Sequence, residues 1–145
     1  MRAVLSAALA LLLAACSNST GPEGDVRVEP SKSVYPLPGN PTVRVDYTVR
    51  NTGSIPVALA NCGEGVAAEL QRRSGNIWVT AALMQCPALA IYAPVVLGPG
   101  DVFHGVIEVA EAGQYRLRVT LAANVGESYT SHAVSPGFAV RWPDD

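Results

Sequence analysis

The sequence predicts an all-β fold, an antiparallel sandwich of about seven to nine strands. Three observations predict it. Two runs alternate apolar and polar residues with period two: TVRVDYTVR at residues 42–50 and QYRLRVTL at residues 114–121. Turn signals separate the apolar stretches, at Pro38-Gly39-Asn40-Pro41, Asn51-Thr52-Gly53, Ser74-Gly75-Asn76, Gly98-Pro99-Gly100-Asp101 and Ala112-Gly113. Composition agrees, because 13 Gly and 11 Pro in 145 residues interrupt the chain too often for long helices.

At the N-terminus Arg2 supplies a positive start, residues 3–13 are almost wholly apolar, and Leu13-Ala14-Ala15-Cys16 closes the run. This is a secretory signal peptide in outline. The apolar run has about half the roughly 20 residues a membrane-spanning helix needs, and it ends in Ser, Asn, Thr and Gly instead of a basic stop-transfer cluster. Leu13-Ala14-Ala15-Cys16 resembles the lipobox of bacterial lipoproteins, in which the Cys thiol receives a diacylglyceryl group before signal peptidase II cuts in front of it. The resemblance implies that residues 1–15 are a lipoprotein signal peptide and that Cys16 becomes the lipidated first residue, a stable membrane anchor in the bacterial cell envelope. Ser17 stands where an inner-membrane retention signal would show Asp, which favours the outer membrane.

Residues 16–24, CSNSTGPEG, read as a flexible tether with a reach of about 15 Å, and residues 25–145 as one domain. In the two alternating runs Val43, Val45, Tyr47, Val49, Tyr115, Leu117, Val119 and Leu121 are expected to face a core. Arg44, Asp46, Thr48, Arg50, Gln114, Arg116, Arg118 and Thr120 then face solvent. Further strands are expected at residues 25–29, 55–60, 66–72, 77–81, 101–109 and 138–142.

Residues 111–117, EAGQYRL, resemble the segment that opens strand F of immunoglobulin domains, with Gly113 at the turn and Tyr115 as a candidate tyrosine corner. Leu117 replaces the family's Cys. The resemblance therefore implies an immunoglobulin-like sandwich of a bacterial kind, without the usual inter-sheet disulfide.

Of three cysteines, lipidation accounts for Cys16 and leaves Cys62 and Cys86 as a pair in an oxidising compartment. Each lies 12 residues from Ser74 in the turn RRSGN, so a hairpin centred there would bring them together and would pair Leu70 with Trp78. A structural disulfide takes precedence over a metal or redox site. No C-x-x-C spacing exists, and neither His104 nor His132 has a second ligand at i+2, i+3 or i+4.

With 10 basic against 12 acidic residues, and the arginines scattered, no basic stripe marks a nucleic-acid partner. His104 shares a solvent-side strand face with Val102, Val106 and Glu108, and His132 follows a polar loop as an exposed residue. Nothing resembles a G-x-S-x-G elbow, and Glu64 with Glu69, or Glu108 with Glu111, read as solvated carboxylates. No enzyme, no cofactor and no metal site is expected. Trp78 reads as core packing ahead of a ligand platform. The apolar segment MQCPALAIYAP at residues 84–94 either covers the end of the sandwich or presents Ile91 and Tyr92 to a partner.

The expected function is a non-catalytic binding or structural domain, held at a membrane through Cys16, whose partner is an envelope protein or a glycan. The order TVRNTGSIPV, a Trp-bearing hairpin, LGPGD and GQYRLRV is also similar to the domain of the bacterial intracellular proteinase inhibitor BsuPI, with Asn51, Pro56, Trp78, Gly100, Gly113 and Tyr115 in the recognisable places. That resemblance implies protease inhibition as the alternative. A metal-binding envelope protein stands behind both.

Overall fold

Alternation dictates the architecture, because a strand with one apolar face must bury it against a second sheet. The computed structural model describes residues 22–37, 42–63, 65–83, 92–123, 126 and 128–143. In chain order the strands are β1 (Val26–Pro30), β2 (Val34–Pro36), β3 (Val43–Asn51), β4 (Val57–Leu59), β5 (Ala68–Ser74), β6 (Ile77–Leu83), β7 (Val95–Leu97), β8 (Val102–Val109), β9 (Gly113–Ala122), β10 (Ser131–Val134) and β11 (Phe138–Arg141). A 3-10 turn, Pro22–Asp25, precedes β1 and lies against β9 and β10, so the expected domain boundary at Asp25 falls inside this turn. No helix among the described residues is long and apolar enough to cross a membrane.

The smaller sheet has the order β1-β3-β8, antiparallel throughout. In the larger sheet β9 is central. One edge of β9 pairs with β4 and β5 and the other with β10 and β11, while β6 extends β5, β7 extends β4, and β2 joins β11 in parallel. In immunoglobulin lettering β1, β3 and β8 are strands A, B and E, β9 is F, and β4 with β5 and β10 with β11 are C and G, each interrupted once. The fold is an immunoglobulin-like antiparallel β-sandwich.

The core lies between the inner faces. Val45, Tyr47 and Val49 of β3 and Tyr115, Leu117, Val119 and Leu121 of β9 are all buried, as their period-two spacing requires; Val43, at the start of β3, is half-buried. Phe138 links the two halves of the core, edge-on to Tyr35 at 5.6 Å and stacked on Tyr115 at 6.0 Å between ring centroids. Tyr115 closes the expected corner, its hydroxyl donating to the Glu111 carbonyl at 2.9 Å. Asn51 is wholly buried, and its side chain binds together the turn that follows it and β7. Its Nδ2 donates to the carbonyls of Ile55 (2.8 Å) and Leu97 (2.9 Å), and its Oδ1 accepts from the Gly53 amide at 2.9 Å.

Three short strands, β2, β7 and β10, were not expected from sequence, and two local readings are corrected. The polar loop before His132 gives way to β10, where His132 sits half-buried opposite Thr120. Glu69 is not a solvated carboxylate, since its side chain is 13 % exposed and ion-paired with Arg118 at 3.0 Å.

Candidate binding face of the larger sheet

The β5–β6 hairpin turns through two residues, Gly75 and Asn76, and Gly75 adopts φ +59°, a left-handed conformation open to glycine at no steric cost. Ser74 therefore pairs with Ile77, Arg73 with Trp78 and Gln71 with Thr80. A register shift at Leu70/Gln71 then sets Leu70 opposite Ala82. The expected pairing of Leu70 with Trp78 is thus displaced by an odd number of residues, which moves Trp78 to the opposite face of the sheet. Core packing does not describe it. Leu70 is buried inside, while the half-buried Trp78 lies on the solvent side.

On that outer face the side chains of three strands interlock. Arg116 of β9 stands opposite Gln71 of β5, and its Nε donates to Gln71 Oε1 at 2.7 Å. Its guanidinium carbon lies 4.6 Å from the centroid of the Trp78 ring, a cation–π contact. The indole reaches on across the sheet, with Cη2 3.8 Å from the place a Cβ on Gly137 would occupy. In the next row Glu69 accepts hydrogen bonds from Arg118 (3.0 Å), Gln71 (3.1 Å) and Thr80. Burial raises the Glu69 pKa, but the bonds from Thr80, Gln71 and Arg118, with the charge of Arg118, outweigh it and hold the carboxyl below the ordinary range.

The charge on this face is lopsided although the whole chain is slightly acidic. Glu69 is committed to Arg118, whereas Arg116 has no carboxylate partner among the described residues. Arg73 and Arg141 add exposed cations to the same side; Arg73 donates to the Gly75 carbonyl at 3.1 Å. A cleft of about 440 Å³ opens on the other side of the hairpin, where Arg72 is ion-paired with Glu111 at 2.5 Å and bonded to the Ala112 carbonyl at 2.9 Å.

The residues singled out in the sequence fall elsewhere. Cys62 is buried and disulfide-bonded, in a turn closed by the Asn61–Val66 bridge. Cys16, Cys86 and Ile91 lie outside the described residues. Tyr92 is 44 % exposed, but its ring rests on Gly63, where a Cβ would stand 2.6 Å from Tyr92 Cζ. The adjoining Ala93 carbonyl accepts from Asn61 Nδ2 at 2.8 Å. Tyr92 is thus packed on the turn that holds Cys62. His104 is exposed on β8, and no group of three or more His, Cys, Asp or Glu among the described residues is placed to hold a metal ion. The Trp78–Arg116 pair was missed as a unit, because the hairpin register that joins it depends on where the turn is centred.

No protein-family model matches the chain, and no curated protein matches it. Solved structures with a similar arrangement of strands include the CARDB domain of the PF1109 protein of Pyrococcus furiosus, solved in complex with di-metal ions. It is 15 % identical with a TM-score of 0.38, over 81 % of this chain and 88 % of that one. A β-glucosidase of Listeria innocua is 14 % identical with a TM-score of 0.39, and the match spans 79 % of this chain but 16 % of the enzyme.

Proposed function

We propose that the chain is a lipid-anchored envelope protein whose immunoglobulin-like domain binds a partner through the outer face of its larger sheet and carries out no catalysis. The observation behind this reading is the placement of Trp78. A large aromatic ring held on the solvent side by an unpaired arginine serves packing poorly and recognition well.

Protease inhibition has less support, because two of the residues that carry that resemblance hold the fold itself: Asn51 ties turns together and Tyr115 closes its corner. Two measurements test the reading. Labelled palmitate should enter the wild type and not Cys16→Ala, and equal labelling would remove the anchor. Detergent-solubilised wild type should be retained on washed, detergent-extracted envelope material, whereas Trp78→Ala should not; equal retention would remove the binding face.

A further inference from the structure

The Trp78–Arg116 pair has a more specific chemistry than a generic contact surface. Gln71 occupies Arg116 Nε, and the indole fixes the plane of the guanidinium. The two terminal Nη groups then form a preset fork, and no carboxylate among the described residues fills it. Such a fork donates two parallel hydrogen bonds to one planar anion. It is also an uncommitted charge, whereas the neighbouring Arg118 is neutralised by Glu69. A monoanion matches that, while a dianion would ask for converging cations. Arg73 and Arg141 are further exposed cations on the same face.

The rest of the face selects the carrier. Beside the indole it exposes apolar side chains, Val34 and Val134 among them, each roughly half-exposed. A flat aromatic beside a carboxylate-binding fork suits the apolar C–H face of a sugar ring whose edge bears an acid. We infer that this face binds an extended polysaccharide carrying carboxylate groups, with Arg116 taking a carboxylate and Trp78 packing against the sugar. The inference rests on the binding-face reading above and names its ligand class.

The test uses the detergent-solubilised full chain and three polymers of matched length: polygalacturonate, its methyl-esterified form, and polyglutamate. Polygalacturonate should bind at least tenfold more tightly than the other two. Arg116→Lys keeps the charge but loses the fork, and it should weaken polygalacturonate binding about tenfold, as should Trp78→Ala, with the melting temperature checked for each variant. Arg44→Gln, on the outer face of the other sheet, should change nothing. Equal binding of the methyl ester would leave only ring stacking, equal binding of polyglutamate would leave only charge or point to an acidic peptide, and either overturns the inference, as does no binding at all. If envelope retention still depends on Trp78 while polygalacturonate does not bind, the ligand class is wrong and the binding face stands.

Discussion

Tyr47 lies directly opposite Gly105 in the β3–β8 ladder, and its buried ring occupies the space that a Cβ on Gly105 would need. A glycine in the middle of a strand is otherwise a weakness; here it makes room for one of the largest fully buried side chains of the core. Gly105→Ala should therefore destabilise by about 2–3 kcal/mol through overpacking, measured as a lower denaturant midpoint at unchanged slope. His104→Ala, one residue away on the exposed face, should stay within about 0.5 kcal/mol. Equal effects at the two positions would refute the account.

The same ring predicts alkaline behaviour. Burial pushes the Tyr47 pKa up to about 12. The folded state thus disfavours the phenolate, and the stability this represents is complete below the ordinary tyrosine value near 10 and is lost as pH rises from about 10 toward 12. Phenolate absorbance of Tyr47 should appear together with unfolding and not before it, by comparison of the wild type with Tyr47→Phe.

Asn51→Ala should be the most damaging polar substitution away from any binding surface. It would strip the buried Leu97 carbonyl and the partly buried Ile55 carbonyl of their donor, and free the turn that Oδ1 holds through Gly53. Leaving buried carbonyls unsatisfied costs about 1–3 kcal/mol each, so a loss of about 3 kcal/mol is expected from thermal or denaturant unfolding. Asn51→Asp should also destabilise, since the isosteric carboxylate keeps the acceptor and loses the donor.

What the sequence made legible follows the range over which each signal acts. Period-two alternation is local and strong in β3 and β9, and it placed the buried Val45, Tyr47, Val49, Tyr115, Leu117, Val119 and Leu121 but not Asn51 and Ala122 at the strand ends; the Tyr115 corner was equally readable because its acceptor is four residues away. Strands β2, β7 and β10 have three or four residues each, too few to display a period, and proline lies in or beside β2 and β7. Trp78 went to the wrong face because centring the hairpin on Ser74 in place of the Gly75-Asn76 turn shifts the register by an odd number. No spacing rule could have announced Arg116 as its neighbour, since that contact runs between β6 and β9, on opposite sides of β5.

Glu69 ties the outer face to pH. Its carboxyl is desolvated, but hydrogen bonds from Thr80, Gln71 and Arg118 and the charge of Arg118 hold its pKa below the ordinary value. A depressed carboxyl contributes stability that is present above the ordinary value near 4.3 and fades as pH falls below it. Acid should therefore loosen the β5–β6 hairpin early, seen as a rise in Trp78 fluorescence change ahead of global unfolding. Glu69→Gln should be less stable than the wild type at neutral pH and should lose less of its stability between about pH 5 and pH 3. Parallel acid curves for the two would contradict the role assigned to the network.

Cys62 decides between two readings at once. It is buried and disulfide-bonded, and it sits in the turn closed by Asn61 and Val66. The hairpin symmetry that suggested Cys86 was centred on Ser74, whereas the described β5–β6 pairs are centred on the Gly75-Asn76 turn. The chain's remaining cysteines are Cys16 and Cys86. A sulfur bearing a diacylglyceryl thioether cannot also form a disulfide, so lipidation at Cys16 requires the bridge to run to Cys86. Peptide mapping of the unreduced, exported protein should recover residues 62 and 86 in one cross-linked fragment. Replacing both by Ala should lower stability by about 2–4 kcal/mol, as the unfolded chain is released from a closed loop. Recovery of a 16–62 cross-link in protein purified from the envelope would exclude the lipid anchor, whatever the lipobox implies.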